Sequence, residues 1–179
     1  MTPDDYIDAL IEREGGYVDN PRDRGGPTRW GITEQVARAH GYTGAMRELS
    51  QETAREIYLE RYWSGPHFDL IDARASRIAE ELLDTGVNMG PNTASRFLQR
   101  ALNVLNRGAT AYPDIVADGQ IGRMTLFALD QYLDQRGAVG VTVLLSALNG
   151  LQAARYIEIA EERPSQEEFE YGWLLNRVA

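Results

Sequence analysis

The sequence predicts a mainly α-helical protein that folds as one compact body. Apolar residues recur at helical intervals along nearly the whole chain, and strict apolar–polar alternation never extends beyond a few residues. No repeat of fixed period and no low-complexity linker interrupts the pattern. A length of 179 residues, with 43% hydrophobic and 25% charged residues, suits a globular body with a substantial core.

Glycine, proline and N-capping residues divide the chain into helical segments. Thr33 and Ser50 are the clearest N-caps, and Gly90-Pro91 is the strongest stop signal. A short additional helix is predicted in the C-terminal stretch PSQEEFEYGWLLNRVA, residues 164–179, with Phe169, Trp173 and Leu174 as its anchors. The main predicted spans are residues 3–14, 34–41, 51–62, 72–89, 92–106, 123–136 and 139–161.

Composition excludes several classes of function. The formal net charge is −9, and all 18 basic residues are arginines that form no concentrated run, so nucleic acids and anionic membranes are poor partners. The chain has no cysteine and two histidines, which excludes thiolate chemistry and disfavours a histidine metal site, and we expect no cofactor.

The N terminus predicts a cytoplasmic location before any release. It carries acidic residues where a secretory signal has positive charge, and we expect no membrane-spanning segment and no membrane insertion. Export to the periplasm or cell wall would then need a route without a signal peptide.

Glu14 is the first candidate catalytic residue. At 100° per residue it lies on the same helix face as Leu10 and Ile11, which are predicted core residues. Partial desolvation there, at the negative end of the helix dipole, would disfavour the ionised form and prepare the acid to protonate a leaving group. The simpler alternative is that Glu14 pairs with an arginine or solvates the helix end.

A loop rich in glycine and proline follows this helix and supplies two further candidates. Asp23 could stabilise positive charge at a sugar carbon or orient a water molecule, and Thr28 could hold that water. Two carboxyl groups that flank a bond are the minimum apparatus for glycoside hydrolysis. Spacing alone does not establish this chemistry, because such triplets are common in acidic proteins.

The stretch EGGYVDNPRDRGGPTRWGIT, residues 14–33, resembles the signature of the glycoside hydrolase family 108 N-acetylmuramidases, which are phage-type endolysins. Later blocks, ERYW, DTGVNMGPNTASRFLQRALN and GWLLNRVA, extend the resemblance over almost the whole chain. It implies a lysozyme-like fold with Glu14 as catalytic acid. The spacing from Asp23 to Thr28 is one residue shorter than in other phage lysozymes, and DNP replaces the usual NDP, so Asp19 remains an alternative second carboxylate.

The block DGQIGRMTLFAL, residues 118–129, resembles part of a peptidoglycan-binding module. The resemblance implies a catalytic part in residues 1–90 and a helical peptidoglycan-binding part in residues 91–179, packed as one unit. The alternative is that this block only packs the C-terminal helices.

Aromatic and amide side chains near the loops are candidates for sugar binding, because sugars combine apolar faces with hydroxyl rims. For each, the alternative role is packing or helix capping. The candidates are Tyr17, Trp30, Thr33, Trp63 and Asn88.

These observations predict a monomeric endolysin or muramidase that hydrolyses the β-1,4 bond between N-acetylmuramic acid and N-acetylglucosamine in peptidoglycan glycan strands. Reaching the wall would require a holin or a secretion system. The alternatives are a lytic transglycosylase and a non-catalytic peptidoglycan-binding or particle-structural protein.

Overall fold

The computed structural model describes residues 2–18 and 27–162, together with Tyr171, Leu174 and Leu175. The predicted mainly α class is confirmed: the described part contains seven α-helices and one small three-stranded sheet. The chain groups into two compact units, Met1–Gly65 and Pro66–Ala179. The predicted C-terminal helix falls largely outside the described residues.

The first unit is built on two packed helices, α1 (Pro3–Glu14) and α3 (Gln51–Leu59). Thr2 and Asp5 form a capping box at the start of α1, and Ser50 caps α3 through the backbone N–H of Thr53. The buried faces of the two helices meet in a small apolar core. It comprises Ile7, Leu10, Ile11, Ala54, Ile57 and Tyr58.

Three two-residue strands follow α1 and form an antiparallel sheet. The strands are β1 (Tyr17–Val18), β2 (Thr28–Arg29) and β3 (Ile32–Thr33), in the order β1-β2-β3. The sequence did not predict this sheet, because strands of two residues are too short to show alternation.

Short helical elements complete the unit. Thr33 caps α2 (Glu34–Ala39), as predicted, and a 3-10 helix covers Met46–Glu48. A π-helix at Glu60–Ser64 continues α3 without a break. Such π segments occur frequently at functional sites.

The second unit contains α4 (Phe68–Asp72), α5 (Ser76–Met89), α6 (Pro91–Leu105) and α7 (Arg123–Glu162). α5, α6 and α7 pack against one another. The span Arg123–Glu162 consists of two helices that meet at a kink at Gly137, where a φ of 55° interrupts the helical backbone, and this agrees with the two helices predicted at residues 123–136 and 139–161. α4 was not predicted.

Side-chain amides of α6 fix the segment between α6 and α7. The buried Gln99 donates to the Asp118 carboxylate at 2.9 Å and accepts from the Gly119 backbone N–H at 2.8 Å. Asn103 bonds both backbone polar groups of Ile115. The segment that contains Ile115, Asp118 and Gly119 is therefore held by hydrogen bonds to α6.

One described helix, α7, is long and apolar enough by length and composition to cross a bilayer, with 22% of the relevant window buried. The sequence had instead predicted that no segment would be long and apolar enough for a membrane span. One such helix is weak evidence for a membrane span, and α7 packs against α5 and α6.

A polar cluster joins α5 to α7. Thr85 donates to Glu81 at 3.3 Å, and Asn149, with its amide nitrogen toward Glu81, donates to both carboxylate oxygens at 3.0 and 3.2 Å. The fully buried Gln152 donates to Asp84 at 3.0 Å. Burial, with the Asp84 charge as the second cause, raises the pKa of Glu81 from 4.5 to about 7.

This pKa predicts that the protein loses stability as pH rises from about 5 to 8. Between these two pKa values the folded protein holds a proton on Glu81 that the unfolded chain has already released. The stabilisation from this proton is therefore complete below a pH of 4.5, the pKa of Glu81 in the unfolded chain. It is lost as the pH rises through about 7, the pKa of Glu81 in the folded protein. The difference between the two pKa values limits the contribution of this proton to the free energy of unfolding to at most about 3 kcal/mol. Glu81→Gln should flatten the slope of the unfolding free energy over this range, measured by denaturant titration.

Glu161→Gln is the matched control, because Glu161 is exposed on α7 and should leave the slope unchanged. An unaltered slope in Glu81→Gln would contradict the assignment of this proton to Glu81.

Candidate functional site

The end of α1 and the hairpin turn between β2 and β3 lie side by side. The backbone N–H of Trp30 donates to the carbonyl of Gly15 at 3.1 Å. Trp30 and Gly31 form the two-residue turn with φ values of 54° and 74°. Positive φ at both positions is the requirement of a type I′ hairpin turn. Gly15, the residue directly after Glu14, is therefore hydrogen-bonded through its carbonyl to this turn.

Gly31 is the point where Glu14 and Tyr58 meet. A Cβ atom on Gly31 would lie 3.1 Å from both Cβ and Cγ of Glu14 and 2.3 Å from the hydroxyl oxygen of Tyr58. The Glu14 side chain and the Tyr58 hydroxyl therefore both cover the bare Cα of Gly31. Only glycine combines this close approach with the required φ.

Tyr58 is a buried, neutral phenol beside this carboxylate. It is 6% exposed, and its hydroxyl donates to the Trp30 carbonyl at 3.1 Å. Burial, with the charge of Glu14 as the second cause, raises the pKa of Tyr58 to about 12.

Glu14 itself is exposed, which corrects the expectation of a partly desolvated acid. The helix-face argument placed it with Leu10 and Ile11, which are buried, but Glu14 is the last residue of α1 and lies beyond that core. Two glycines follow it and carry no side chains that could cover it. Glu14 is exposed, and within residues 2–18 and 27–162 its carboxylate forms no ion pair or hydrogen bond.

Two other candidates lie in the sheet that follows Glu14. Thr28 is in the central strand, with Val18 and Thr33 as its neighbours. Tyr17 is opposite Arg29, and the Arg47 guanidinium lies 4.6 Å from the centre of the Tyr17 ring. Asp23 and its alternative Asp19 lie outside the described residues, so the second carboxylate stays a prediction.

Trp30 and Thr33 both use polar atoms to hold the fold. The Trp30 indole N–H donates to the Leu49 carbonyl at 2.8 Å, and the Arg29 guanidinium lies 4.9 Å from the Trp30 ring centre. The Thr33 hydroxyl accepts from the Val36 backbone N–H at 3.3 Å. Sugar contact by the Trp30 ring and by Thr33 stays a prediction.

The last two candidates lie elsewhere in the chain. Trp63 is half-buried in the π-helix of the first unit. Asn88 is exposed on α5 of the second unit, where its amide donates to the backbone carbonyl of Asp84 at 2.6 Å. Of the predicted residues, the structure thus brings Glu14, Tyr17, Thr28, Trp30 and Thr33 together around one sheet and helix end.

Sequence reasoning missed the roles of Tyr58 and Gly31. Tyr58 and Tyr62 lie four residues apart, a helical spacing that is typical of packing residues, and their rings do stack with centroids 5.9 Å apart. Spacing does not report that the Tyr58 hydroxyl and the Glu14 side chain both approach Gly31, because that arrangement depends on how α3 packs on α1. The GIT end of the signature was the signal available for Gly31. Among the described residues, no group of three potential metal ligands was found.

Gly31→Ala should destabilise the protein by about 2–4 kcal/mol, from positive-φ strain and from overpacking against Tyr58 and Glu14. The free energy of unfolding from denaturant titration measures this. Gly41→Ala is the matched control, because Gly41 has a φ of 90° but a Cβ atom added there would have no described atom within 4 Å.

Gly41→Ala should therefore cost about 1 kcal/mol, which is the strain alone. Equal losses in the two variants would show that Glu14 and Tyr58 do not press on Gly31.

Comparison with known proteins assigns both segments of the chain. Residues 7–90 match the family described as Glycosyl hydrolase 108, and residues 93–178 match the family described as Predicted Peptidoglycan domain. No curated protein sequence matches the chain.

A solved structure of SagA from Brucella abortus is similar over nearly the whole length. It shares 25% sequence identity and a TM-score of 0.63, and the match covers 97% of this chain and 87% of that one. Together the matches support a glycoside hydrolase that acts on peptidoglycan. Residues 7–90 thus match the Glycosyl hydrolase 108 family and residues 93–178 match the Predicted Peptidoglycan domain, in agreement with the resemblance seen in the sequence.

Proposed function

We propose that this protein is an N-acetylmuramidase that hydrolyses the β-1,4 bond between N-acetylmuramic acid and N-acetylglucosamine, with Glu14 as general acid. One observation carries the proposal: within the segment that matches the hydrolase family, Glu14 presents an accessible carboxylate that no described residue engages. Its backbone leads directly into a hydrogen-bonded turn, which limits how far the acid can move.

In this mechanism, protonated Glu14 gives its proton to the glycosidic oxygen as the bond to the sugar carbon breaks. Positive charge develops at that carbon and its ring oxygen. Asp23, or Asp19 in its place, stabilises this charge or activates the incoming water, and Thr28 holds the water. A carboxyl separation of about 5–5.5 Å would give retention, and one of about 6.5–9.5 Å would give inversion.

Substrate binding extends beyond the reacting bond. The rings of Tyr17, Trp30 and Trp63 stack on sugar faces, while Thr33 and Asn88 offer polar contacts to hydroxyl and N-acetyl groups. We assign catalysis to residues 1–90 and retention of the glycan strand to residues 91–179. The family matches at residues 7–90 and 93–178 support this division.

The proposal extends to the biological setting. A monomer held in the cytoplasm would meet peptidoglycan only after a holin or a secretion system releases it, for cell lysis or wall remodelling. The net charge of −9 favours a thin sacculus over a strongly anionic wall.

Digestion of purified peptidoglycan by the wild type and by Glu14→Gln tests the proposal. Glutamine keeps the shape of the side chain but carries no transferable proton, so the release of fragments should fall about 100- to 10,000-fold. Glu12→Gln is the matched control, since Glu12 is exposed on the same helix two residues earlier and should retain activity.

Mass spectrometry of the new chain ends then separates the alternatives. Reducing muramic acid ends that disappear in Glu14→Gln support hydrolysis. Anhydromuramic ends would replace the proposal with a lytic transglycosylase, and intact peptidoglycan after treatment with wild type would leave only a binding or structural role.

A further inference from the structure

A cavity of about 560 Å³ lies in the second unit, lined by α6, by the segment that leads into α7 and by the first turn of α7. Gln99 is the residue of α6 that lines it. Its amide is buried and donates to the Asp118 carboxylate at 2.9 Å and to the Gln120 backbone carbonyl at 3.0 Å. Hydrogen bonds from a buried amide thus fix one wall of the cavity, so the cavity is preformed.

The first turn of α7 presents hydrogen-bond donors in the opposite part of the lining. The backbone N–H groups of Arg123, Met124 and Thr125 have no acceptor within the helix, because the first turn of any α-helix lacks one. A Cβ atom added to Gly122, directly before the helix, would have no described atom within 4 Å. The Thr125 hydroxyl is 3% exposed and accepts from Gln99 at 3.1 Å, while its own hydrogen has no acceptor among the described residues. An anion in the cavity would therefore meet several donors.

Charged side chains of both signs line the same cavity. Arg123 is exposed and, in the described part of the chain, forms no ion pair or hydrogen bond, although it lies at the helix end where the dipole favours an anion. Asp114 and Asp118 are also exposed. Each uses Oδ1 as an acceptor, from Asn106 at 2.6 Å and from Gln99 at 2.9 Å, and no described group bonds either Oδ2. The hydrogen bond from Gln99 lowers the pKa of Asp118, so this carboxylate stays ionised.

The apolar part of the lining is aliphatic. It includes the buried Ile115 and the exposed side chains of Val116 and Met124. No described residue that lines the cavity is aromatic, whereas sugar rings are bound on aromatic platforms. Aliphatic surface beside one guanidinium and two carboxylates matches a short peptide that carries both a carboxylate and an ammonium group. In peptidoglycan, these groups occur on the peptide stems that are attached to muramic acid.

We propose that this cavity binds the peptide stem of peptidoglycan, with a stem carboxylate at Arg123 and the first turn of α7 and the stem ammonium group at Asp114 and Asp118. The match of residues 93–178 to the Predicted Peptidoglycan domain supports peptidoglycan as the source of the ligand. The inference rests on the proposed function and deepens it, because residues 91–179 then retain a glycan strand through the peptides attached to it.

Calorimetric titration of the full-length protein with a synthetic stem peptide tests the site. The probe is L-Ala-γ-D-Glu-meso-diaminopimelate-D-Ala, which has no glycosidic bond to be cleaved. Arg123→Gln should bind it about tenfold more weakly, because a charge-assisted hydrogen bond is lost. The same probe with its carboxylates amidated should bind the wild type and Arg123→Gln equally.

Arg100→Gln is the matched control, because Arg100 is exposed on α6 and does not line the cavity. It should bind the probe as the wild type does. No binding of the probe by the wild type, or equal weakening in Arg100→Gln and Arg123→Gln, would overturn the proposal.

Two substitutions at Gly122 separate binding from folding. Gly122 has no positive φ, and its carbonyl accepts from the Leu126 N–H at 3.1 Å, so it occupies the N-cap position of α7. Serine and aspartate are both favourable N-caps, so neither should lower the free energy of unfolding. Gly122→Asp places a carboxylate where the stem carboxylate binds and should weaken probe binding about tenfold or more. Gly122→Ser should bind close to the wild-type affinity, and equal affinities of the two variants would contradict the site.

Glycan strands from which the peptides have been removed complete the test. With Glu14→Gln present to keep the strands intact, Arg123→Gln should leave their affinity unchanged. Weaker binding of these strands in Arg123→Gln would assign the cavity to the sugar and overturn the proposal. Retained hydrolysis by Glu14→Gln would instead overturn the proposed function and leave the titration with the stem peptide unaffected, so the two failures are distinguishable.

Discussion

The close approach at Gly31 is the constraint on which the first unit depends. Glu14 from α1, the turn of the hairpin and the hydroxyl of Tyr58 from α3 meet at a position that has no room for a side chain. Trp30, in the same turn, accepts the φ of 54° that β-hairpin geometry demands, although a bulky residue adopts it at an energetic cost. Three segments that are distant in sequence are thereby fixed relative to one another.

Three hydrogen bonds of Trp30 connect the turn to the neighbouring segments. Its N–H is tied to Gly15, its carbonyl to Tyr58, and its indole nitrogen to Leu49 ahead of α3. Two of the partners are backbone carbonyls, and the third is the hydroxyl of a buried tyrosine. Because none of these groups moves freely, the turn has few alternative conformations. The backbone of Glu14 adjoins this turn, so it loses little conformational entropy when a substrate binds. Positioning a catalytic group in this way contributes to the reaction rate.

The sequence predicted features that depend on neighbouring residues, such as helix caps. It did not predict features that depend on how helices pack together. Caps at Thr33 and Ser50 and the stop at Gly90 were predictable, because a cap is decided by a few neighbouring residues. The burial of Glu14 was predicted wrongly, because helical periodicity gives a face but not where along the helix the core ends. The approach of Glu14 and of the Tyr58 hydroxyl to Gly31 was unpredictable because it arises from packing between α1 and α3.

The hydrolase family match ends at residue 90, whereas the boundary between the two compact units lies between Gly65 and Pro66. Helix α5 lies between these two boundaries. By sequence α5 lies inside the match to the hydrolase family, which ends at residue 90, yet it belongs to the compact unit that begins at Pro66. Its buried residues include Ile78, Leu82 and Leu83, and it packs on α6 and α7. A chain cut at residue 90 would expose this apolar face and leave the carboxylate of Glu81 without Asn149. The hydrolase segment therefore depends on the peptidoglycan domain for the packing of its last helix, whatever the division of roles between them.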